Sequence, residues 1–121
     1  MRADFLSPDA TNTARRQPRS VAEKLRDAVR ALAGGHGDIV HHVEKAWASI
    51  TFAGTRHIMR LVFDGDGAVE AGEGLIADLP EHEFAIPGQL VADATVAAVE
   101  HELLPHPRLL VECEVLLLED A

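Results

Sequence analysis

The sequence predicts an α+β fold: a two-layer sandwich in the order α-β-β-α-β-β, with a four-stranded antiparallel sheet and two helices on one face. Three observations carry that prediction. A capping box opens an amphipathic segment at Ser20, two extended runs flank Gly54-Thr55, and two more flank Pro105-His106-Pro107. Helices separated by antiparallel hairpins can bury their apolar stripes against one shared sheet.

Residues 1–19 hold Ser7-Pro8-Asp9, Asn12 and Pro18 without sustained periodicity. They read as a flexible N-terminal arm, with Phe5 and Leu6 as the one possible anchor. Residues 20–121 then form a single α+β domain, a size that supports one core and not two.

The first helix is expected over 20–33. In Ser20-x-x-Glu23 the hydroxyl and the carboxylate each satisfy a helix N–H that would otherwise lack a partner. Val21, Leu25, Ala28, Val29 and Leu32 recur at helical spacing, and Gly34-Gly35 supplies the left-handed residue that ends a helix.

Strands are expected over 42–53 and 56–64. With Gly54-Thr55 as a two-residue type II′ turn, Trp47 faces Val62, Ala46 faces Phe63 and Lys45 faces Asp64. That register gathers apolar residues on one side of the ribbon and sets an opposite-charge pair across the strands.

Residues 68–79 read as the second helix, closed by Pro80. Gly72 and Gly74 each cost about 1 kcal/mol of helix propensity relative to alanine. Close approach of that helix to the sheet would justify a glycine there.

Residues 108–120 alternate cleanly, with Val111, Cys113, Val115 and Leu117 on one face and Glu112 and Glu114 on the other. The alanine-rich run 90–104 could be helix or strand. The proline-bounded turn beside it favours a long hairpin, with His101 near Val111, Val99 near Cys113 and Val96 opposite Leu116. Residues 20–64 and 67–119 are of comparable length and read as two αββ units without clear residue identity between them.

Two helices on one face leave the other face of the sheet to be covered. Trp47, Ile58, Val62, Val96, Leu116 and Leu118 are expected there, and an apolar patch of this kind marks an interface. A second copy related by a two-fold axis is the expected partner, which makes the chain a homodimer and a self-associating interaction or scaffold module.

Composition narrows the alternatives. The formal net charge is −9, distributed unevenly. Residues 1–30 carry seven bases and four acids, net +3, and the remainder carries four bases and sixteen acids, net −12. An acidic body repels nucleic acid, although the Arg15, Arg16 and Arg19 stretch could contact an anion or lie against an acidic surface. No apolar run approaches the ~18 residues of a membrane span, and the N-terminus lacks a signal-like apolar stretch, so a cytoplasmic protein is expected. Cys113, the single cysteine, sits in an apolar alternation and reads as a buried thiol.

Seven histidines are the compositional oddity. In the hairpin register above, His42 lies beside the Asp64-Gly65-Asp66-Gly67 turn, so His42, Asp64 and Asp66 form the candidate set for a metal-dependent or small-molecule enzyme. Scattered surface histidines are the simpler reading. The Asp-Gly turn lacks the spacing of a calcium loop. No nucleophile elbow, phosphate loop or His-Glu-x-x-His motif occurs, and aromatic residues are few. The residues therefore point away from an enzyme, and no cofactor is expected.

Overall fold

Ser20 opens the first helix as its sequence requires. Its hydroxyl oxygen accepts from the Glu23 backbone N–H at 3.1 Å, and its own N–H donates to Glu23 Oε1 at 2.9 Å. That backbone bond, then the side-chain bond, holds the Glu23 carboxyl below its ordinary value. Helix α1 runs Val21–Leu32 and buries Leu25 and Val29. At its end Gly34, at φ +68°, donates to the Ala31 carbonyl, and Gly35 donates to that of Arg30 at 2.8 Å. This Schellman pair satisfies the last carbonyls of the helix.

The computed structural model describes residues 19–119. Residues 1–18 of the expected arm, with its Phe5-Leu6 anchor and Arg15 and Arg16, lie outside the described residues, while Arg19 is described and forms an ion pair with Asp27. After α1 come β1 (Asp38–Ala48), β2 (Ala53–Asp64), α2 (Asp66–Asp78), a 3-10 turn (Leu79–Glu81), β3 (Gln89–Glu102) and β4 (Arg108–Glu119). The four strands form one antiparallel sheet in the order β1-β2-β4-β3. Exchanging the two αββ units maps that order onto itself. No helix among the described residues is long and apolar enough to cross a membrane.

The core gathers Leu25 and Val29 of α1, Val69 and Leu75 of α2, and alternate residues of β2 and β4. Met59, Leu61 and Phe63 stand opposite Cys113, Val111 and Leu109, all within 1 % of fully buried. The Met, Leu, Phe and Val side chains among them each contribute about 1.5–3 kcal/mol through removal from water. Cys113 is a free thiol inside this layer, pushed up to about 12 by burial, with Glu112 and Glu114 adding to the shift. It is an inert packing group, as its alternation predicts.

Helix α2 begins two residues before the expected position and hands over to the 3-10 turn at Leu79. Gly72 earns its place in it. A β carbon there would lie 2.7 Å from Leu109 Cδ2 and 2.8 Å from the Phe63 ring. The helix thus approaches the sheet at the one position where a side chain would keep it away. Gly74 has open space around it, and nothing in the structure explains it.

The first hairpin differs from expectation in its register. Its loop is residues 49–52, with Ala48 opposite Ala53 and Trp47 opposite Gly54 in place of Val62. Ser49 closes the loop: its hydroxyl accepts from the N–H groups of Phe52 at 3.0 Å and Thr51 at 3.3 Å, and its own N–H donates to the Phe52 carbonyl at 2.8 Å. Gly54 is not a turn residue. It lies inside β2, where a β carbon would collide with the Leu117 carbonyl oxygen of β4. This is the close backbone approach that places glycine in a strand. The displacement, from Val62 to Gly54, is an even number of residues, so Trp47, Ile58 and Val62 keep their expected face.

The second hairpin forms as expected, but β3 carries irregularities between Val91 and Asp93 and between Val96 and Ala98. His101 pairs with Leu109 in place of Val111, and Val99 with Val111 in place of Cys113. Val96 pairs with Cys113 and packs against the core. Its assignment to the other face is therefore corrected. A bulge adds one residue to one strand, and a one-residue slip exchanges the faces.

Candidate functional site

Two features of the sheet carry functional interest, one on each face. The first lies on the core face at the junction of α1, β1 and β2. β2 places His57 in the same alternation as Met59, Leu61 and Phe63, so the imidazole goes inward and is 1 % exposed. The register sets Glu44 directly opposite His57, and His42 opposite Met59. α1 contributes Arg26 from the turn after Leu25.

These residues form a directed chain. Arg26 Nη1 donates to His42 Nδ1 at 2.9 Å, and His42 Nε2 and His57 Nδ1 are 2.9 Å apart. A guanidinium can only donate, so His42 Nδ1 is bare and its proton sits on Nε2. That proton is donated to His57 Nδ1, which places the remaining His57 proton on Nε2. The two ring centres are 5.1 Å apart, with planes tilted by 59°. Ligand atoms of His42, Glu44 and His57 all lie within 4.8 Å of one another.

Both imidazoles are held below the ordinary histidine value. For His42 burial is the main cause, followed by the charges that His57 and Arg26 carry or would carry. For His57 burial again dominates, with Glu44 opposing it and Arg26 reinforcing it. Two neutral imidazoles next to a carboxylate and a fixed cation can relay or withhold a proton, or act as nitrogen ligands.

The expected set of His42, Asp64 and Asp66 does not come together. It rested on the displaced register. Asp64 is at the far end of β2, opposite Arg108, with its carboxylate 2.8 Å from His106 Nε2. Asp66 opens α2 from an exposed position. His42 keeps its candidacy with different partners. His57 and Glu44 were not singled out by sequence, although a polar residue inside the Met59, Leu61, Phe63 alternation signals a buried group in need of partners. The remaining histidines are dispersed: His82 packs edge-on to Phe84, and His36, His41 and His101 are exposed.

The second feature is the outer face, away from Met59 and Phe63. Four successive rows cross it from β1 to β3: Trp47, Gly54, Leu118, Leu90; then Lys45, Arg56, Leu116, Asp93; then Val43, Ile58, Glu114, Thr95; then His41, Arg60, Glu112, Ala98. In these rows β1 and β2 carry Lys45, Arg56 and Arg60 and no acid, while β4 and β3 carry Asp93, Glu112 and Glu114 and no base. Two ion pairs join the halves, Arg60 with Glu112 at 3.2 Å and Arg56 with Glu114 at 3.4 Å.

Of the expected interface residues, Trp47, Ile58 and Val62 are half-buried here. Leu116 and Leu118 are 8 % and 6 % exposed and stand outside the central core cluster, so they offer little open surface. Leu90, in the Trp47 row, is 53 % exposed, and Ile50 and Phe52 protrude from the loop at the same end of the sheet. A shallow hollow of about 220 Å³ lies further along, lined by Arg60, Ala98, Leu110 and Glu112 among others. Comparison with protein-family models, with curated proteins and with solved structures finds no match to this chain.

Proposed function

We propose that the protein acts through self-association, as a two-fold dimer packed outer face to outer face, and serves as an interaction or scaffold module in that form. The observation that carries this reading is the division of those four rows into a basic half on β1 and β2 and an acidic half on β4 and β3; the row beyond, Asp38, Val62, Leu110 and Glu100, carries an acid on both edge strands.

Two sheets that pack face to face keep their strands roughly aligned and their centres about 10 Å apart. A two-fold axis between them can run along the strands or across them. An axis across the strands sets β1 on β1, base on base and acid on acid. An axis along the strands sets β1 of one copy over β3 of the other, in the same row. Within the four rows each basic half then covers an acidic half, and like-charge repulsion disfavours the wrong arrangement, while in the row beyond Asp38 falls over Glu100.

In that arrangement Lys45 falls over Asp93 of the second copy and Trp47 falls over Leu90. The Lys45 row supports this further. Lys45 stands directly opposite Arg56, a like-charge cross-strand pair that is unfavourable by itself. An acid supplied from above relieves it. His41 of one copy falls over Ala98, beside the hollow, where there is room for an imidazole.

Light scattering on the purified chain at micromolar concentration tests the reading. A dimer mass is expected, with Trp47→Lys shifting the chain to monomer while its far-UV circular dichroism is unchanged. A monodisperse monomer for the unaltered chain overturns it.

A further inference from the structure

We infer that His42, His57 and Glu44 form a binding site for a divalent transition-metal ion of zinc type, and that Arg26 is the lock that competes with the metal for it. The donor set is two imidazole nitrogens and one carboxylate oxygen, which is three protein ligands with a fourth position left for water or a ligand.

Geometry favours the ion. Zinc held tetrahedrally between two imidazoles, at about 2.0–2.1 Å per bond, sets the nitrogens about 3.3 Å apart and the ring centres about 5.2 Å apart. The ring centres are already 5.1 Å apart. Only the nitrogens must separate, from 2.9 Å in the hydrogen bond. A pivot of each ring about its own centre achieves this without moving β1 against β2. Glu44, cross-strand from His57 and exposed, provides the third ligand and the side from which an ion enters.

Arg26 sets the threshold. A metal on His42 Nε2 requires the His42 proton on Nδ1, and Nδ1 is the atom that accepts from Arg26. Metal binding therefore shifts the His42 proton from Nε2 to Nδ1 and expels the guanidinium from its hydrogen bond. Metal-bound histidines ordinarily give that second N–H to an acceptor, and Arg26 offers none. The site has two states, locked by arginine or loaded with metal. The Arg26–His42 bond is of the charge-assisted kind, and its loss in a variant is expected to tighten metal binding by about tenfold or more.

The test is isothermal titration of Zn²⁺ into the untagged chain, with circular dichroism on every variant. One equivalent per chain is expected. His42→Gln and His57→Gln should each weaken binding by at least about tenfold. Arg26→Ala should strengthen it. His42 is only half-buried, so His42→Gln and Arg26→Ala decide the matter even where His57→Gln fails to fold. Absence of binding by the unaltered chain at 100-fold excess zinc overturns the inference. So does binding that His42→Gln leaves unchanged, which would place the ion on the dispersed histidines, and so does weaker binding in Arg26→Ala. The outer face takes no part in the site, so none of these outcomes depends on whether the chain dimerises there.

Discussion

His42 and His57 are joined so that neither ring can take up a proton without losing a hydrogen bond. His42 Nδ1 is occupied by Arg26, and His57 Nδ1 is occupied by His42 Nε2, each at 2.9 Å. The pair is a neutral lock between α1 and the first hairpin. Its surroundings include Arg26 from the helix, His41 and Glu44 from β1, and the other ring; of these only Glu44 favours protonation.

Stability should therefore depend on pH in a defined direction. Both folded-state values lie below the ordinary 6.5, so on acidification the unfolded chain binds protons that the native chain refuses. Stability rises with pH wherever the unfolded state holds more protons. It is thus fully present above about 6.5 and falls as pH drops through that value. The urea midpoint is expected to be lower at pH 5.5 than at pH 7.5, with a smaller difference in the His42→Gln, His57→Gln double variant. The lowered Glu23 carboxyl acts only below this window, because its ordinary value is 4.5. A midpoint that is flat or rises on acidification contradicts the lock.

The two glycines of α2 should respond in opposite directions. At Gly74 a methyl group meets nothing, so Gly74→Ala gains helix propensity and stabilises by up to about 1 kcal/mol. At Gly72 the same methyl lies within 2.8 Å of Phe63 and Leu109, and overpacking of that kind costs about 1–3 kcal/mol, against the same propensity gain. Denaturant titration of both variants reads the contrast. Equal effects would mean that α2 does not approach the sheet at Gly72.

Much of the fold is legible in the sequence because its signals are local. Ser20 and Glu23 define a helix start by themselves, Gly34-Gly35 an end, and the alternation through Val111, Cys113 and Val115 a half-buried strand. The first hairpin hides its loop for a physical reason. Its true loop is closed by the Ser49 hydroxyl and contains neither glycine nor proline, while the nearest glycine, Gly54, serves a contact with Leu117 that no local pattern reveals. The faces survived because the displacement was even. On β3 the irregularities at Ala92 and Ala97 broke that protection and carried Val96 inward. The candidate site depended on the same register. His42 stands out in the sequence, but Glu44 and His57 become its neighbours only through the register that sets Glu44 opposite His57.

A face-to-face dimer depends most on Lys45 of one copy meeting Asp93 of the other, and a charge exchange reads that contact directly. Lys45→Asp sets acid on acid twice across the two-fold axis, and Asp93→Lys sets base on base twice, so each variant alone should be monomeric where the unaltered chain is a dimer. Mixed in equal amounts, both contacts become opposite-charge pairs, and native mass spectrometry should find a one-to-one heterodimer and no homodimer. Two variants that each remain dimeric, or a mixture that stays monomeric, would contradict the proposed face-to-face arrangement.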